Sequence, residues 1–325
     1  MSELVDGVLR GDRRALARAL SLVESSAESD RDAAALLLEA LHQPGVRSRR
    51  IGITGAPGVG KSTFIETWGH QLAEAGSKVA VLAVDPSSKR SGGSILGDKV
   101  RMPKLSSHEN VFVRPSPSRT ALGGATSSMR ESILVCEAAG FDTIIVETVG
   151  VGQSESDVAE MVDLFTLLVL PNAGDEVQGI KRGIMEMADA VLVTKSDIES
   201  HRSQLAVAQY QSALRLMLPS QPHWSTPVIP VSAVTADGLN TFTETMNVYF
   251  DTGRTAFIAE RRATQRRAWF ESAVREHVVL SVLSAPEVVT SMRDITAAID
   301  AEAVTPSRAI RKLLSSLHIT ISEAS

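Results

Sequence analysis

A glycine-rich segment between a short apolar run and a helical pattern has the residue types of a phosphate-binding loop. The segment Gly55-Ala56-Pro57-Gly58-Val59-Gly60-Lys61-Ser62-Thr63 matches the pattern G-x-x-x-x-G-K-[ST]. Glycines let the backbone fold around a polyphosphate so that its N–H groups point inward, at the positive end of the following helix. Lys61 can then reach the β- and γ-phosphates, and the Ser62 hydroxyl can ligate Mg²⁺. The flanking strand and helix favour this interpretation over a structural glycine turn.

Acidic residues further along the chain could serve a metal ion beside this loop. Asp85 and Glu147 each end an apolar run, and Asp98 follows a Gly/Ser-rich segment. The carboxyl ends of strands in a doubly wound sheet border the ligand crevice, where a carboxylate can hold Mg²⁺ directly or through water. Gly150, just beyond Glu147, can sense a γ-phosphate through its N–H. Asp85 alone could equally be a helix cap or a turn residue, but beside a phosphate loop metal chemistry is favoured.

Two further motifs could recognise the base of a nucleotide. Thr194-Lys195-Ser196-Asp197 follows an apolar run and resembles the [NT]-K-x-D signature of guanine sites. A carboxylate at Asp197 can accept hydrogen bonds from guanine N1–H and the N2 amine together, a pair of donors that adenine lacks. Ser232-Ala233-Val234 follows the last apolar run and resembles the loop whose backbone meets guanine O6. The two motifs predict GTP and GDP as bound nucleotides. Thr194 replaces the commoner Asn, so the site lacks a side-chain amide that would stabilise it.

Short apolar runs that alternate with helical patterns predict a mostly parallel sheet covered by helices on both faces. The apolar runs are residues 51–54, 79–84, 143–146, 164–170, 190–194 and 228–231. Amphipathic helices are expected at 3–24 and 30–42, and helical patterns recur at 239–283, 286–300 and 306–317. We therefore expect an α/β fold with a doubly wound sheet. Its domains would be an N-terminal helical extension (1–45), a P-loop GTPase domain (46–240) and a C-terminal helical arm (241–325).

The composition of the 325-residue chain argues against several classes of protein. A formal net charge of −5 at pH 7 does not suit a general nucleic-acid or anionic-membrane binder. The one cysteine, Cys136, permits neither an internal disulfide nor a thiolate metal cluster. The first residues lack the regions of a signal peptide, and the apolar stretch 164–173 is too short to span a bilayer. We expect a cytoplasmic protein without nucleic-acid or membrane partners.

A stripe of arginines lies within the first C-terminal helical pattern. Such a stripe is more typical of a solvated or oligomer-facing helix than of a nucleic-acid site in a chain with negative net charge. Its members are Arg254, Arg261, Arg262, Arg266, Arg267 and Arg275.

Taken in order, these motifs resemble the MeaB/ArgK/MMAA-type GTPases, G-protein chaperones of adenosylcobalamin-dependent acyl-CoA mutases. The resemblance covers nearly the whole chain and is carried by residues 11–18, 52–63, 84–88, 97–98, 147–155 and 173–183. Thr194 and Ser196 depart from the family's usual Asn-Lys-Ala-Asp, and Asn172 stands where Gly is usual.

The resemblance implies roles for particular residues. Lys61 and Ser62 would bind phosphate and Mg²⁺, while Asp85, Asp98 and Glu147 would serve the metal and the switch region. The family's third switch falls on residues 175–181, where Lys181 would join Lys61, Asp98 and Glu147 in catalysis and couple nucleotide state to the mutase. The C-terminal arm would form a homodimer. Val151 stands where small GTPases keep a catalytic Gln, which predicts slow intrinsic hydrolysis. For Gln153, we favour a structural or partner-switch role over the positioning of a catalytic water.

Two rival functions stay open. A nickel-insertion metallochaperone GTPase would need ligand clusters, whereas the seven histidines are scattered and Cys136 is alone, so a buried hydrophobic role suits that cysteine. A P-loop kinase of a transport protein would need an acceptor pocket and a base, which the sequence does not reveal.

Overall fold

A sheet of seven parallel strands lies at the centre of the computed structural model, which describes residues 1–25, 27–43, 45, 48–85, 102–117, 124–148, 154–171, 182–217, 221 and 223–316. The order across the sheet is β3-β2-β4-β1-β5-β6-β7. The strands are β1 (Arg49–Gly55), β2 (Val79–Asp85), β3 (Val111–Pro117), β4 (Thr143–Glu147), β5 (Leu164–Val169), β6 (Ala190–Val193) and β7 (Val228–Pro230). The predicted doubly wound α/β sheet is therefore confirmed.

Helices cover both faces of the sheet. Those before β4 are α1 (Ser2–Leu9), α2 (Arg13–Val23), α3 (Glu28–Leu41), α4 (Lys61–Glu74), α5 (Pro103–Ser106) and α6 (Gly124–Ala138). Those after β4 are α7 (Ser154–Ala159), α8 (Arg182–Met187), α9 (Ser200–Arg215), α10 (Leu239–Tyr249), α11 (Thr255–Ser284), α12 (Pro286–Asp300) and α13 (Pro306–Ser316).

The central strands are apolar along their whole length because both of their faces are covered. Every residue of β4, β5 and β6 is buried, as expected for a parallel sheet between helical layers. On one face, α4 and α10 pack together through Trp68 and Phe242, whose ring centroids lie 4.8 Å apart. On the other face, α6 packs on the sheet and the N-terminal helices pack on α6.

Strand β3 and two helix breaks differ from the sequence predictions. Strand β3 lies at the edge of the sheet, where Pro115 is tolerated, and its prolines hide the apolar pattern. The helical pattern 3–24 divides at Gly11, which has φ +74°, and Asp12 caps α2 by accepting from the Ala15 N–H at 2.7 Å. The pattern 239–283 divides at a short 3₁₀ helix, Thr252–Arg254, which contains Gly253.

Arginines near the start of α11 turn inward and bind the amino-terminal edge of the sheet. Arg262 donates to the Asp163 carboxylate at 2.7 and 2.6 Å, and Arg261 donates to Asp189 at 3.1 Å. Both aspartates are fully buried and directly precede β5 and β6. Arg254 donates to Gln221 at 2.5 Å. The prediction of a solvated or oligomer-facing stripe is wrong for these three arginines, whereas Arg266, Arg267 and Arg275 are exposed.

The chain divides into two compact units, residues 1–266 and 267–325. The first contains the whole described sheet and its covering helices, and the second contains α12 and α13. Helix α11 contributes residues to both units, since it begins at Thr255. The domain boundaries at residues 45 and 240 stay predictions. Among the described residues, the helices lack the length and apolarity to cross a membrane.

Candidate functional site

The glycine-rich segment forms a loop between the carboxyl end of β1 and the first residue of α4. Gly55 has φ +147°, and a Cβ there would lie 2.4 Å from the Leu168 carbonyl oxygen of β5. Gly60 has φ +101° and stands immediately before α4, which begins at Lys61. Both positions therefore require glycine, one for close approach and the other for a left-handed backbone. The result is a tight loop that presents the N-terminus of a 14-residue helix, an arrangement that suits an anion.

The Lys61 side chain folds back over this loop. Lys61 is 8% exposed, and its Nζ donates to the carbonyl oxygens of Gly55 at 2.8 Å and Ala56 at 3.3 Å. Burial lowers the pKa of Lys61, while the nearby charges of Glu147 and Glu155 act to raise it. The ammonium is thus held at the loop by weak neutral acceptors, which a phosphate oxygen could replace with a stronger charged partner.

A hydroxyl and a carboxylate meet at the start of α4. Ser62 Oγ donates to Glu147 Oε1 at 2.8 Å, and Glu147 is buried as the last residue of β4. The sheet register sets Glu147 opposite Ile53 of β1, just before the glycine loop begins. The backbone beyond β4 is fixed because Thr148 donates its N–H to Ile53 O at 3.0 Å and its hydroxyl to Thr54 at 2.9 Å. Hydroxyl and carboxylate oxygens are the hard donors that Mg²⁺ prefers, so the residues present fit that ion.

Glu155 is a residue to which the sequence motifs assigned no role. It is 4% exposed on α7, and its negative charge acts on Lys61. The signal in the sequence was a carboxylate eight residues beyond Glu147, at the start of a helical pattern. Two buried carboxylates, rather than one, therefore contribute to the electrostatic field at the Lys61 ammonium.

The predicted base-recognition segment after β6 is tied to the glycine loop. The buried hydroxyl of Thr194 lies 2.8 Å from the Val59 carbonyl oxygen and 3.1 Å from that of Val169. Lys195 has φ +57°, and its Nζ donates to Gly58 O at 3.0 Å. The stem of Lys195 consequently lies across the loop, while Asp197 is exposed two residues further on. Thr194 is therefore hydrogen-bonded to the phosphate loop, although it lacks the side-chain amide that the commoner Asn would supply.

The segment after β7 is tied to α4 in a similar way. Ser232 Oγ accepts from the N–H groups of Val234 at 3.2 Å and Thr235 at 3.1 Å, which closes a tight turn. Thr67 of α4 donates its hydroxyl to Ala233 O at 2.9 Å. The Ser196 N–H donates to Val231 O at 3.2 Å, so the first predicted base segment is also joined to the residue just before the second. Thr67 was missed by motif reasoning because the motif ends at Thr63.

Several predicted site residues cannot be placed. Asp98, Gly150, Val151, Gln153, Asn172 and the segment 175–181 with Lys181 lie outside the described residues, and for Asp85 only the backbone at the end of β2 is described. Cys136 is fully buried on α6, and burial raises the pKa of its thiol. Within the described ranges, no group of three or more His, Cys, Asp or Glu side chains is arranged to hold a metal ion.

Comparison with known proteins gives a consistent result. The family model for the methylmalonyl-CoA mutase-associated GTPase MeaB matches residues 16–287. A Caulobacter vibrioides protein whose name describes it as a GTPase is 46% identical over 94% of each chain. The mitochondrial methylmalonic aciduria type A homolog of Mus musculus is 41% identical over 97% of this chain and 79% of its own.

One solved structure is similar along almost the entire chain. A crystal structure described as a LAO/AO transport system kinase superposes with a TM-score of 0.75 and 34% identity, covering 98% of this chain and 97% of the other. GTPase activity, and with it guanine nucleotide binding, follows from the family match and the GTPase relatives. The chain therefore belongs to the methylmalonyl-CoA mutase-associated GTPase family, MeaB.

Proposed function

We propose that this GTPase uses Mg²⁺ and serves as a G-protein chaperone, gating cofactor loading or protection of an adenosylcobalamin-dependent acyl-CoA mutase. The family description, a methylmalonyl-CoA mutase-associated GTPase, carries the proposal. The name of the Mus musculus relative supports the same metabolic context. The geometry supports the nucleotide half of the proposal, because a lysine, a hydroxyl and a carboxylate converge where α4 begins.

In this proposal the phosphates of GTP lie in the loop 55–63. The N–H groups at the start of α4 bind phosphate oxygens, and the Lys61 ammonium exchanges its carbonyl partners for them. Lys61 then neutralises negative charge that develops on the transferred phosphoryl group. Ser62 and Glu147, with Asp85 and Asp98, would hold Mg²⁺, which would supply further neutralisation of the phosphate charge. Glu147 orients the Ser62 hydroxyl by accepting its hydrogen bond at 2.8 Å.

Guanine would lie between the segments after β6 and β7. Asp197 accepts from N1–H and the N2 amine, the Lys195 stem packs on the base, and the backbone of Ala233 and Val234 meets O6. The turn closed by Ser232 supports this backbone. Gly150 would sense the γ-phosphate, and Lys181 in the third switch, residues 175–181, would pass the nucleotide state to the mutase.

The C-terminal arm is proposed to form a homodimer. In the unit 267–325, exposed apolar side chains are frequent along α11 and α12, which is unusual for a surface that faces only water. They are Phe270, Val274, Val278, Val279, Leu280, Leu283, Val289 and Met292.

The GTP turnover rate, measured with and without adenosylcobalamin-loaded methylmalonyl-CoA mutase, tests the chaperone proposal. We expect the mutase to raise turnover by about an order of magnitude or more, which corresponds to about 1.4 kcal/mol of barrier per factor of ten. Lys181→Ala should lower the ratio of stimulated to unstimulated rates. Lys78→Ala, an exposed lysine at the amino end of β2, is the matched control and should keep the wild-type ratio.

The same assay distinguishes the alternatives. Equal stimulation of wild type and Lys181→Ala would remove the third switch from the mechanism. No stimulation by mutases of the methylmalonyl, ethylmalonyl, isobutyryl or 2-hydroxyisobutyryl type would contradict the chaperone role. Label from γ-labelled GTP that appears on a protein acceptor, rather than as free phosphate, would favour the transport-system kinase named for the similar crystal structure.

A further inference from the structure

The hydroxyl of Thr67 connects the helix that follows the phosphate loop to the segment after β7. Thr67 lies on α4, about 9 Å along the helix axis from Lys61. Its hydroxyl donates to the Ala233 carbonyl oxygen at 2.9 Å, and the alternative acceptor, Thr63 O one turn earlier, is farther away at 3.2 Å. The same helix therefore begins at the proposed phosphate site and, about two turns later, binds the proposed base segment.

The segment after β7 forms a turn that is closed by its own hydrogen bonds. The Ser232 N–H donates to Asp237 O at 2.9 Å. The Ser232 hydroxyl oxygen, which is fully buried, accepts from the N–H groups of Val234 at 3.2 Å and Thr235 at 3.1 Å. Because these bonds are internal to the turn, they fix its shape but not its distance from α4.

The peptide unit between Ala233 and Val234 is hydrogen-bonded at both ends. Its C=O accepts from Thr67, and its N–H donates to Ser232 Oγ on the opposite side, as a planar trans peptide requires. Among the described residues, none accepts a hydrogen bond from the Ala233 N–H. That N–H is therefore the donor that the turn can offer to guanine O6, and it lies between two groups that are held in place.

We infer that Thr67 is a positioning residue for base recognition, which holds the Ala233 carbonyl against α4 and so sets where the Ala233 N–H meets guanine O6. The inference rests on the proposed guanine site and adds to it a residue outside its sequence motifs. Thr67 acts through the backbone of Ala233. Recognition at position 6 of the purine should consequently depend on Thr67, whereas recognition of N1–H and the N2 amine is left to Asp197.

Other contacts keep α10, the helix after this turn, on α4 when the Thr67 hydroxyl is removed. Trp68 Nε1 donates to the Thr243 hydroxyl at 3.0 Å, and the Gln71 amide donates to Asn240. The Trp68 ring also packs on Phe242. Loss of the Thr67 hydroxyl should therefore shift the turn locally without separating the two helices.

The chain offers a matched control for this hydroxyl. Thr245 on α10 donates its hydroxyl to Thr241 O, one turn earlier in its own helix, at 2.8 Å. Thr67→Val and Thr245→Val make the same chemical change on helices, but only the first removes a bond to the turn. Thr67→Ser and Thr67→Ala form a second pair, which differ from each other only in the hydroxyl and keep the comparison available if the valine variant does not fold.

The experiment measures dissociation constants of the full-length chain for three nucleotides. They are GDP, inosine diphosphate, which lacks the N2 amine, and 6-thioguanosine diphosphate, in which sulfur, a weaker acceptor, replaces O6. We expect Thr67→Val and Thr67→Ala to weaken GDP and inosine diphosphate by the same factor, about three- to tenfold, and 6-thioguanosine diphosphate by less than about twofold. Thr67→Ser and Thr245→Val should bind all three within about twofold of wild type.

The outcomes separate this inference from the proposed function. If wild type does not bind GDP, the proposed function fails and the inference with it. If wild type prefers GDP to 6-thioguanosine diphosphate and Thr67→Val keeps that preference unchanged, only the inference is overturned. An equal loss for all three nucleotides would also overturn it, because Thr67 would then support the fold without positioning the Ala233 N–H. Equal binding of GDP and 6-thioguanosine diphosphate by wild type would overturn it as well, since O6 would then accept no hydrogen bond from the turn.

Discussion

Arg262 donates to both carboxylate oxygens of Asp163, at 2.7 and 2.6 Å, and so fastens α11 to the edge of the sheet opposite the phosphate loop. Asp163 is fully buried and also accepts the Arg50 N–H at 2.9 Å. Nη2 of Arg262, which is one of the two donors to Asp163, also donates to Ser48 O at 2.6 Å, just before β1. One side chain therefore connects α11 to the beginnings of both β1 and β5, the two strands whose far ends carry the phosphate loop and its closest neighbour.

Loss of this pair should destabilise the fold strongly. Arg262→Met keeps much of the apolar stem but leaves the Asp163 carboxylate buried without its cation, which costs about 3 kcal/mol or more. The free energy of unfolding from urea titration measures the effect. Arg266→Met, at an exposed position on the same helix, is the control and should change stability by less than about 0.5 kcal/mol. Similar losses in the two variants would mean that the buried pair contributes little.

A pair of truncated chains tests where the nucleotide-binding unit ends. A chain that stops at Arg266 keeps Arg261 and Arg262 on their buried aspartates, so it should fold, bind GDP and sediment as a monomer. A chain that stops at Thr252 loses both arginines and should be much less stable to urea. A dimeric 1–266 fragment would place the dimer interface outside the unit 267–325, and equal stability of the two fragments would contradict the role of the arginines.

The arginines also show how far sequence reasoning could go. The alternation of apolar runs predicted six of the strands, because buried parallel strands are apolar on both faces. It missed β3, where Pro115 interrupts the pattern at the sheet edge. The spacing of charges on α11 shows that arginines share a helix, but the aspartates that pair with them lie about 70 and 100 residues away in the chain. Such long-range pairs depend on the tertiary fold.

In the candidate site too, the motifs predicted some features, and other contacts depend on the tertiary fold. The motifs predicted the glycine loop and assigned Ser62 and Glu147 to one metal site, because the loop and Glu147 both follow strands whose carboxyl ends border the same crevice of a parallel sheet, although the two residues are 85 positions apart. It could not reveal that Thr67 bonds to Ala233, or that Thr194 turns its hydroxyl toward Val59. Those contacts are set by the packing of α4 against the segments after β6 and β7, and the motif patterns treat each segment separately.

Base selection should change with a single substitution at Asp197. Asp197→Asn replaces an acceptor by an amide donor, which suits the carbonyl that xanthine has in place of the guanine N2 amine. We expect GDP binding to weaken by about a hundredfold or more and xanthosine diphosphate binding to improve. Equilibrium titration with each nucleotide measures the two dissociation constants. Asp294→Asn, an exposed aspartate on α12, is the control. Wild-type protein that hydrolysed ATP as well as GTP would contradict the guanine assignment.

Lys61 should give nucleotide binding a dependence on alkaline pH. Burial lowers the pKa of Lys61 below its ordinary value of 10.5 in the protein without nucleotide. A bound phosphate anion favours the ammonium form, so the pKa of Lys61 is higher in the complex. Between these two pKa values the complex holds a proton that the free protein has lost. Binding therefore takes up a proton, and GDP affinity falls as pH rises through that window; below it, Lys61 contributes no pH dependence.

Titration calorimetry of GDP binding, in buffers of different ionisation enthalpy at alkaline pH, counts the protons taken up. Guanine N1–H titrates in the same range, but Lys61→Ala retains that contribution, and the difference between the two proteins isolates Lys61. We expect Lys61→Ala to lose the extra proton uptake, to bind GDP more weakly and to abolish GTP hydrolysis, because no cation then neutralises the transferred phosphoryl group. Lys78→Ala should match wild type in all three measurements. Equal proton uptake by wild type and Lys61→Ala would show that the ammonium does not meet the phosphates, and undiminished turnover in Lys61→Ala would remove the lysine from the catalytic step.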